Sequence, residues 1–361
     1  MEPLKEMFNK TYYEKLAAAF QSAHSPFKRT AFIKAVTKNL DELSLNQRLR
    51  NTSIVLHEFL PPQYEHKLAI MKATIVQMPA GYTNLIFPDF VSLFGLPHYQ
   101  MSIDALKFFT CFGSSEFAIR VFLKATLTST LKTMYTWAED EDVHVRRLAS
   151  EGSRPRLPWS FKLDAIIEKP ALTKPILEKL NGDAELYVRK SVANHLNDIS
   201  KDSPDYARAL ASTWDHNNPL TAWIIKRGCR SLIRKGDKHT LSLLGIGKKA
   251  HVTIGKFVID KKKIKLNERL VFEFDLAATH QDTQKLIIQF CIHYVKQSGE
   301  RLPKVFHLKE LMLKPGERIH LKKSHRFQDF TTRKHFSGEH IVEIIVNGDV
   351  MIHEKFLFSR N

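Results

Sequence analysis

LVFEFDLAATHQDTQKLIIQFCIHYV, residues 270–295, decides the fold of the second half of the chain. Leu270, Phe272, Phe274 and Leu276 alternate with Glu273 and Asp275, and Leu286, Ile288, Phe290, Ile292 and Tyr294 alternate in the same way. A period of two is the signature of a strand with one buried face. Toward the C-terminus an apolar run over 341–346 meets Asn347-Gly348 and then a second run over 350–358. Asn-Gly between two such runs is the strongest short-range hairpin signal. Pro315-Gly316 marks another turn. Several strands in little more than a hundred residues predict a β-sandwich of immunoglobulin size.

Toward the N-terminus the texture changes near residue 246. Apolar residues now recur at helical spacing, and 245–249, Gly-Ile-Gly-Lys-Lys, reads as a linker. DELSLNQRLRNTSIVLHEFL, residues 41–60, is one helical stretch, stopped by Pro61-Pro62. A loose repeat follows. Val145-Arg146-Arg147, Val188-Arg189-Lys190 and Ile225-Lys226-Arg227 each follow a polar or acidic cluster, at spacings of 43 and 37 residues. That brackets the ~40-residue period of HEAT-type helix pairs, which stack into a solenoid because no pair buries its apolar face alone. The predicted architecture is multidomain: an all-α HEAT-like-repeat solenoid over 1–246, then an all-β immunoglobulin-like sandwich over 247–361.

The chain has 361 residues and a formal net charge of +17, divided into +10 over 1–249 and +7 over 250–361. A cationic excess in both parts points to a polyanion gripped by both. Cys111, Cys229 and Cys291 are odd in number and far apart, which argues against a disulfide framework and for a reducing compartment. The start of the chain lacks the apolar core of a signal peptide, and the apolar stretch 286–295 is half the ~20 residues a membrane span needs. A soluble, cytoplasmic, monomeric protein without membrane contact is expected. HExxH, GxSxG, P-loop and GxGxxG patterns are absent, and the seventeen histidines show no ligand spacing, so neither a metal nor a cofactor is expected.

The chemistry concentrates in TWAEDEDVHVRRLASEGSRPRLPW, residues 136–159. The acidic cluster Glu139-Asp140-Glu141-Asp142 reads as the start of a helix that ends near Glu151, with Gly152 as its C-cap. Val145 and Ala149 share the buried stripe; Arg147 and Glu151, at i and i+4, share another face. Pro155 and Pro158 stiffen an extended segment that presents Arg154, Arg156 and Trp159. The guanidinium fork suits phosphate, and the indole offers a stacking or cation–π face. On the next helix Val188, Val192, Leu196 and Ile199 form the apolar stripe, with Asp198 on the polar flank. Glu116 follows Ser114-Ser115 and opens another helix. Taken singly, each of these acids also fits a bland role: Arg147–Glu151 a solvated pair, Asp198 a solvated helix end, Glu116 a first-turn acid.

The block 136–159, with LYVRKSVANHLNDISKDSPD over 186–205, resembles the AlkC-type alkyl-DNA glycosylases. So do FIKAVTKNLDELSLNQRLR at 32–50 and LPPQYEHKL at 60–68. HVTIGKFVIDKKKIKLNERLVFEFDL at 251–276, FCIHYVKQSG at 290–299, PKVFHLKELMLKPGE at 303–317, HRFQDFTTRKHFSGEH at 325–340 and VNGDV at 346–350 look like the immunoglobulin-like domain of one branch. The resemblance implies a DNA glycosylase of base excision repair. Its partner would be alkylated double-stranded DNA, placing it at the bacterial nucleoid within the cytoplasm. It would hydrolyse the N-glycosidic bond of 3-methylcytosine, 1-methyladenine and 3-methyladenine without a base-flipping pocket. It further implies that Asp198, Glu151 and Glu116 are the catalytic carboxylates and that Trp159 packs on the lesion. Arg147, Arg154, Arg156 and Arg189 would hold DNA in the solenoid, and Lys322, Lys323, Arg326, Arg333 and Lys334 in the sandwich. The alternatives are a non-catalytic HEAT-like protein that binds DNA structure, and a protein–protein scaffold.

Overall fold

The computed structural model describes residues 3–247, 249–330 and 334–360. Helices fill the chain up to Leu243, and strands follow from Val252. No helix among the described residues is long and apolar enough to cross a membrane. The chain divides into two compact units: residues 1–210 with 217–228, and residues 211–216 with 229–361.

In the helical unit the three repeat motifs fall on three helices, Val143–Gly152, Leu186–Asp202 and Pro219–Gly228. The middle one packs against both others, and Val145, Val188 and Ile225 are all buried in the resulting layers. In the first two motifs the first arginine locks the loop before its own helix. Arg146 Nη1 donates to the carbonyls of Asp140 and Glu141, both at 2.9 Å, and Arg189 Nη1 donates to those of Asp183 and Ala184 at 2.7 and 2.6 Å. The two arginines reach back the same six and five residues. Arg146 also pairs through Nε with Asp183 at 2.7 Å, tying one repeat to the loop of the next. Asp142 caps the first of these helices, accepting from the amides of His144 and Val145 at 2.7 and 3.3 Å, as the acidic cluster led one to expect.

Three local expectations are corrected. Gly152 is the last helical residue and Ser153 the C-cap; glycine is required there because a Cβ would stand 2.5 Å from Ile119 Cγ2. Glu116 lies in a turn, and its helix begins only at Ile119. Residues 153–159 form successive turns rather than an extended segment.

In the other unit β1 (Val252–Ile259), β3 (Arg269–Ala278) and β6 (Arg318–Arg326) form one sheet. The second, in the order β2 (Lys263–Lys265), β8 (Asp349–Ser359), β7 (Gly338–Val346), β4 (Gln284–Val295) and β5 (Arg301–Leu313), faces it. The alternating residues Leu270 to Leu276 and Leu286 to Tyr294 form the core between the sheets. Asn347 and Gly348 join β7 to β8 with φ of 49° and 84°, the two positive values that a type I′ hairpin requires. Helices Arg230–Arg234 and Lys238–Leu243 belong to this unit. Lys238 Nζ donates to the Asn347 carbonyl at 2.9 Å, and Lys285 Nζ to that of Leu244 at 2.9 Å. Residue 246 therefore marks the change from helix to strand, while the compact unit starts earlier.

Candidate active site

Five of the expected residues meet in one row within the helical unit. Glu116 Oε2 accepts from Arg147 Nη1 at 2.5 Å and from Ser114 Oγ at 2.7 Å. Arg147 Nη2 lies 3.8 Å from Glu151 Oε1. The same Glu151 oxygen accepts from Arg154 Nη1 at 2.7 Å. Arg154 Nε donates to Asp198 Oδ2 at 2.8 Å, and Lys201 Nζ donates to Asp198 Oδ1 at 2.9 Å. Acids and bases alternate along the whole row: three carboxylates, two guanidinium groups and one ammonium.

Burial makes the row energetically tight. Asp198 is 1% exposed and Glu151 6%, so the solvated roles open to them in isolation do not apply. Burial alone would lower the pKa of Arg147 and Arg154. The carboxylates outweigh it, Glu116 and Glu151 for Arg147, Glu151 and Asp198 for Arg154, and both arginines are held above their ordinary value. Arg154 thus turns inward, with its donors on two carboxylates. Arg156 is paired more openly, with Nε and Nη2 on the two oxygens of Asp202 at 2.6 and 2.5 Å. Arg189 locks its own loop and lies 5.9 Å from the Trp223 ring.

Trp159 is 81% exposed and has φ of 66°. A non-glycine residue in the left-handed region costs of order 1–3 kcal/mol, and here no burial offsets that cost. The indole lines two recesses. One, of about 690 Å³, is lined by Glu116, Arg147, Glu151, Arg154, Trp159 and Tyr187 among others. The other, of about 280 Å³, lies against Arg50, Asp89, Phe117 and Phe161. The Tyr187 ring sits 4.7 Å from the Arg147 guanidinium, a cation–π contact. Asp198 does not line either recess; it stands behind Arg154.

Sequence reasoning missed two residues that hold this row in place. Arg120 is fully buried. It donates through Nη1 to the carbonyls of Gly152 and Arg154 at 3.1 and 2.5 Å and through Nη2 to that of Phe161. The turns that carry Arg154 and Trp159 are therefore pinned at both ends by one side chain. Burial, and then repulsion from Arg154, lower its pKa to about 10. The only signal in the sequence is an arginine inside the apolar run Ala118-Ile119-Arg120-Val121-Phe122. The second is His195, buried with Nδ1 3.0 Å from the Ser150 carbonyl. That carbonyl only accepts, so Nδ1 carries the proton. Burial pushes the His195 pKa down to about 3.

The chain matches known proteins over nearly its whole length. Residues 99–232 match the family described as DNA alkylation repair enzyme, and residues 253–360 match the C-terminal Ig-like domain of uncharacterised protein YhaZ. The solved structure of Pseudomonas fluorescens alkylpurine DNA glycosylase AlkC, bound to DNA containing an abasic site analog, is 41% identical. The match covers 99% of this chain and 100% of that one, with a TM-score of 0.95. This chain belongs to the AlkC family. Uncharacterized protein YhaZ of Bacillus subtilis (strain 168) is 40% identical over 352 residues, 97% of this chain and 98% of the relative. This family member is a helical domain followed by an Ig-like domain, the architecture read from the sequence.

In the Ig-like domain of this family member, the expected DNA-facing residues divide between two faces. Lys322 and Arg326 share the exposed face of β6, whereas Lys323 alternates to the side of Leu321 and His325. Lys322 pairs with Glu273 at 3.1 Å, and Arg326 Nε reaches the Asn267 carbonyl at 3.4 Å. Lys334 is exposed. Arg333 lies outside the described residues.

Proposed function

We propose that this protein is a DNA glycosylase that releases cationic alkylated bases, among them 3-methylcytosine, 1-methyladenine and 3-methyladenine, from double-stranded DNA in the cytoplasm. The observation that carries the reading is the row of fixed carboxylates, Glu151 and Asp198 buried and Glu116 half-buried, ending at a recess beside a bare tryptophan. A base alkylated on a ring nitrogen is already positive and leaves without protonation. What needs stabilising is the oxocarbenium-like sugar that remains. Carboxylates aimed by arginines rather than by mobile water stabilise that charge without reorganisation.

Glu116 and Glu151 line the recess and face an incoming sugar directly. Asp198 is shielded on one oxygen by Arg154 and on the other by Lys201, whose side chain is half exposed. A DNA phosphate that draws Lys201 away frees Asp198 Oδ1 to orient the attacking water. Trp159 packs against the lesion nucleotide from the duplex side, and Arg156 meets phosphate. An already bent duplex presents its lesion at this row, so extrusion of the base into a closed pocket is not needed.

The test is a panel of duplexes, each with one alkylated base, scored for abasic-site formation. Asp198→Asn keeps binding to the alkylated duplex and loses base release by about 10²–10³-fold, the usual effect of removing one preorganised electrostatic group. Release of 3-methyladenine by Asp198→Asn at the wild-type rate would sink the assignment.

A further inference from the structure

The Ig-like domain carries a cluster that the glycosylase reading does not use. Cys291 and His293 are two residues apart on β4 and so point to one face, opposite the core residues Phe290 and Ile292. Glu343 on β7 stands directly across from Cys291 in the antiparallel register. The sulfur, an imidazole nitrogen and a carboxylate oxygen all lie within 4.8 Å of one another. We propose that Cys291, His293 and Glu343 form a binding site for a divalent transition-metal ion, with zinc(II) the best fit.

Three arguments support the site. The first is geometric. His293 Nε2 lies 2.9 Å from Glu343 Oε2, yet this buried nitrogen makes no hydrogen bond, so its axis misses the oxygen. A proton on Nε2 or a bound cation relieves the repulsion between these two atoms, so the contact is a place where a metal ion can take the place of a proton. Donors bound at ~2.0–2.1 Å around a tetrahedral zinc are separated by roughly 3.3 Å, with a thiolate at ~2.3 Å standing slightly further off. Shifts of about an ångström or so bring the three atoms into that arrangement, with water in the fourth position.

The second is chemical. Thiolate, imidazole and carboxylate together suit zinc or cobalt; magnesium and calcium take all-oxygen sets. The third is electrostatic. A thiolate, a carboxylate and a neutral imidazole balance a +2 ion, so the loaded site carries no net charge beside the buried Cys291. Uptake of the ion releases the Cys291 proton to solvent. Glu343 is far from the other two along the chain, which is why a search for ligand spacing passes over the site.

The full-length protein, stripped with a chelator and dialysed against cobalt(II) or zinc(II), tests the proposal. One equivalent is expected to remain bound. The cobalt form shows a thiolate-to-cobalt charge-transfer band in the near ultraviolet, and zinc raises the unfolding midpoint. Cys291→Ser and His293→Ala abolish the band and the shift; Cys111→Ser leaves both. Failure of the folded wild-type chain to retain cobalt overturns the proposal, as does a band that survives in Cys291→Ser. Base release from alkylated duplex is scored in parallel, and its loss or retention bears only on the glycosylase reading.

Discussion

Arg154 shows what one buried residue does in this protein. It bridges two carboxylates, Glu151 and Asp198, that lie away from water, and breaking such a buried pair typically costs about 3–5 kcal/mol. Trp159 is the opposite case, because its strained backbone is supported by no burial of its own. Trp159→Gly is expected to raise stability by roughly 0.5–1 kcal/mol, since glycine enters the left-handed region freely, and to reduce base release. Thermal unfolding and the lesion assay on one preparation check both halves. His195 makes a pH prediction. In the unfolded chain an imidazole protonates near pH ~6.5; in the fold His195 stays neutral down to about 3. Below pH ~6.5 the unfolded state gains a proton that the folded state refuses. The stability present above that value is therefore lost at up to ~1.4 kcal/mol per unit as pH falls toward about 3. Urea unfolding at pH 7, 6 and 5 should show a flatter dependence in His195→Gln than in the wild type. The charge of Glu151 and Asp198 was legible in the sequence, but their burial was not. It depends on contacts between distant segments, Arg154 with Asp198 and Arg120 with the Gly152 and Arg154 carbonyls, and no local pattern reports that.

At the scale of elements, the repeat read from Val145, Val188 and Ile225 corresponds to helices that pack in succession, and its arginines explain why the motif recurs. Arg146 and Arg189 each clamp two carbonyls of the loop before the helix, so the residue fixes the loop that launches its helix. Hydrogen bonds from a charged group contribute about 1.5–3 kcal/mol. Arg146→Ala, which also loses Asp183, is expected to cost at least about 2 kcal/mol in chemical unfolding, and the nearby Glu141→Ala, whose side chain faces solvent, close to nothing. Strands were the most legible elements, because alternation and the Asn347-Gly348 turn are local signals. Helix limits near Glu116 and Gly152 were not. Gly152 looks like a cap in sequence but is set by the approach of Ile119, which comes from a distant part of the chain. The Cys291, His293 and Glu343 cluster was hidden for the same reason: pairing of β4 with β7 creates it.

Over the whole molecule the net charge of +17 is the sum of two cationic parts rather than one basic tail. If the Ig-like domain meets phosphate through the outer face of β6, Lys322→Ala with Arg326→Ala should lower the slope of log affinity against log salt. The expected decrease is about 0.9 for each DNA phosphate that is no longer neutralised. An unchanged slope in a titration from low to moderate salt would remove that face from the DNA interface. Residues 211–216 belong to the same compact unit as the sandwich, although their neighbours on both sides, up to 210 and from 217 to 228, belong to the helical one. The backbone therefore passes between the units three times. No single cut in the gene yields both units intact, so recombination that exchanges Ig-like domains between family members needs breakpoints on either side of this stitch. A hybrid joined at the apparent linker would inherit helices Arg230–Arg234 and Lys238–Leu243 fitted to a sheet it no longer has.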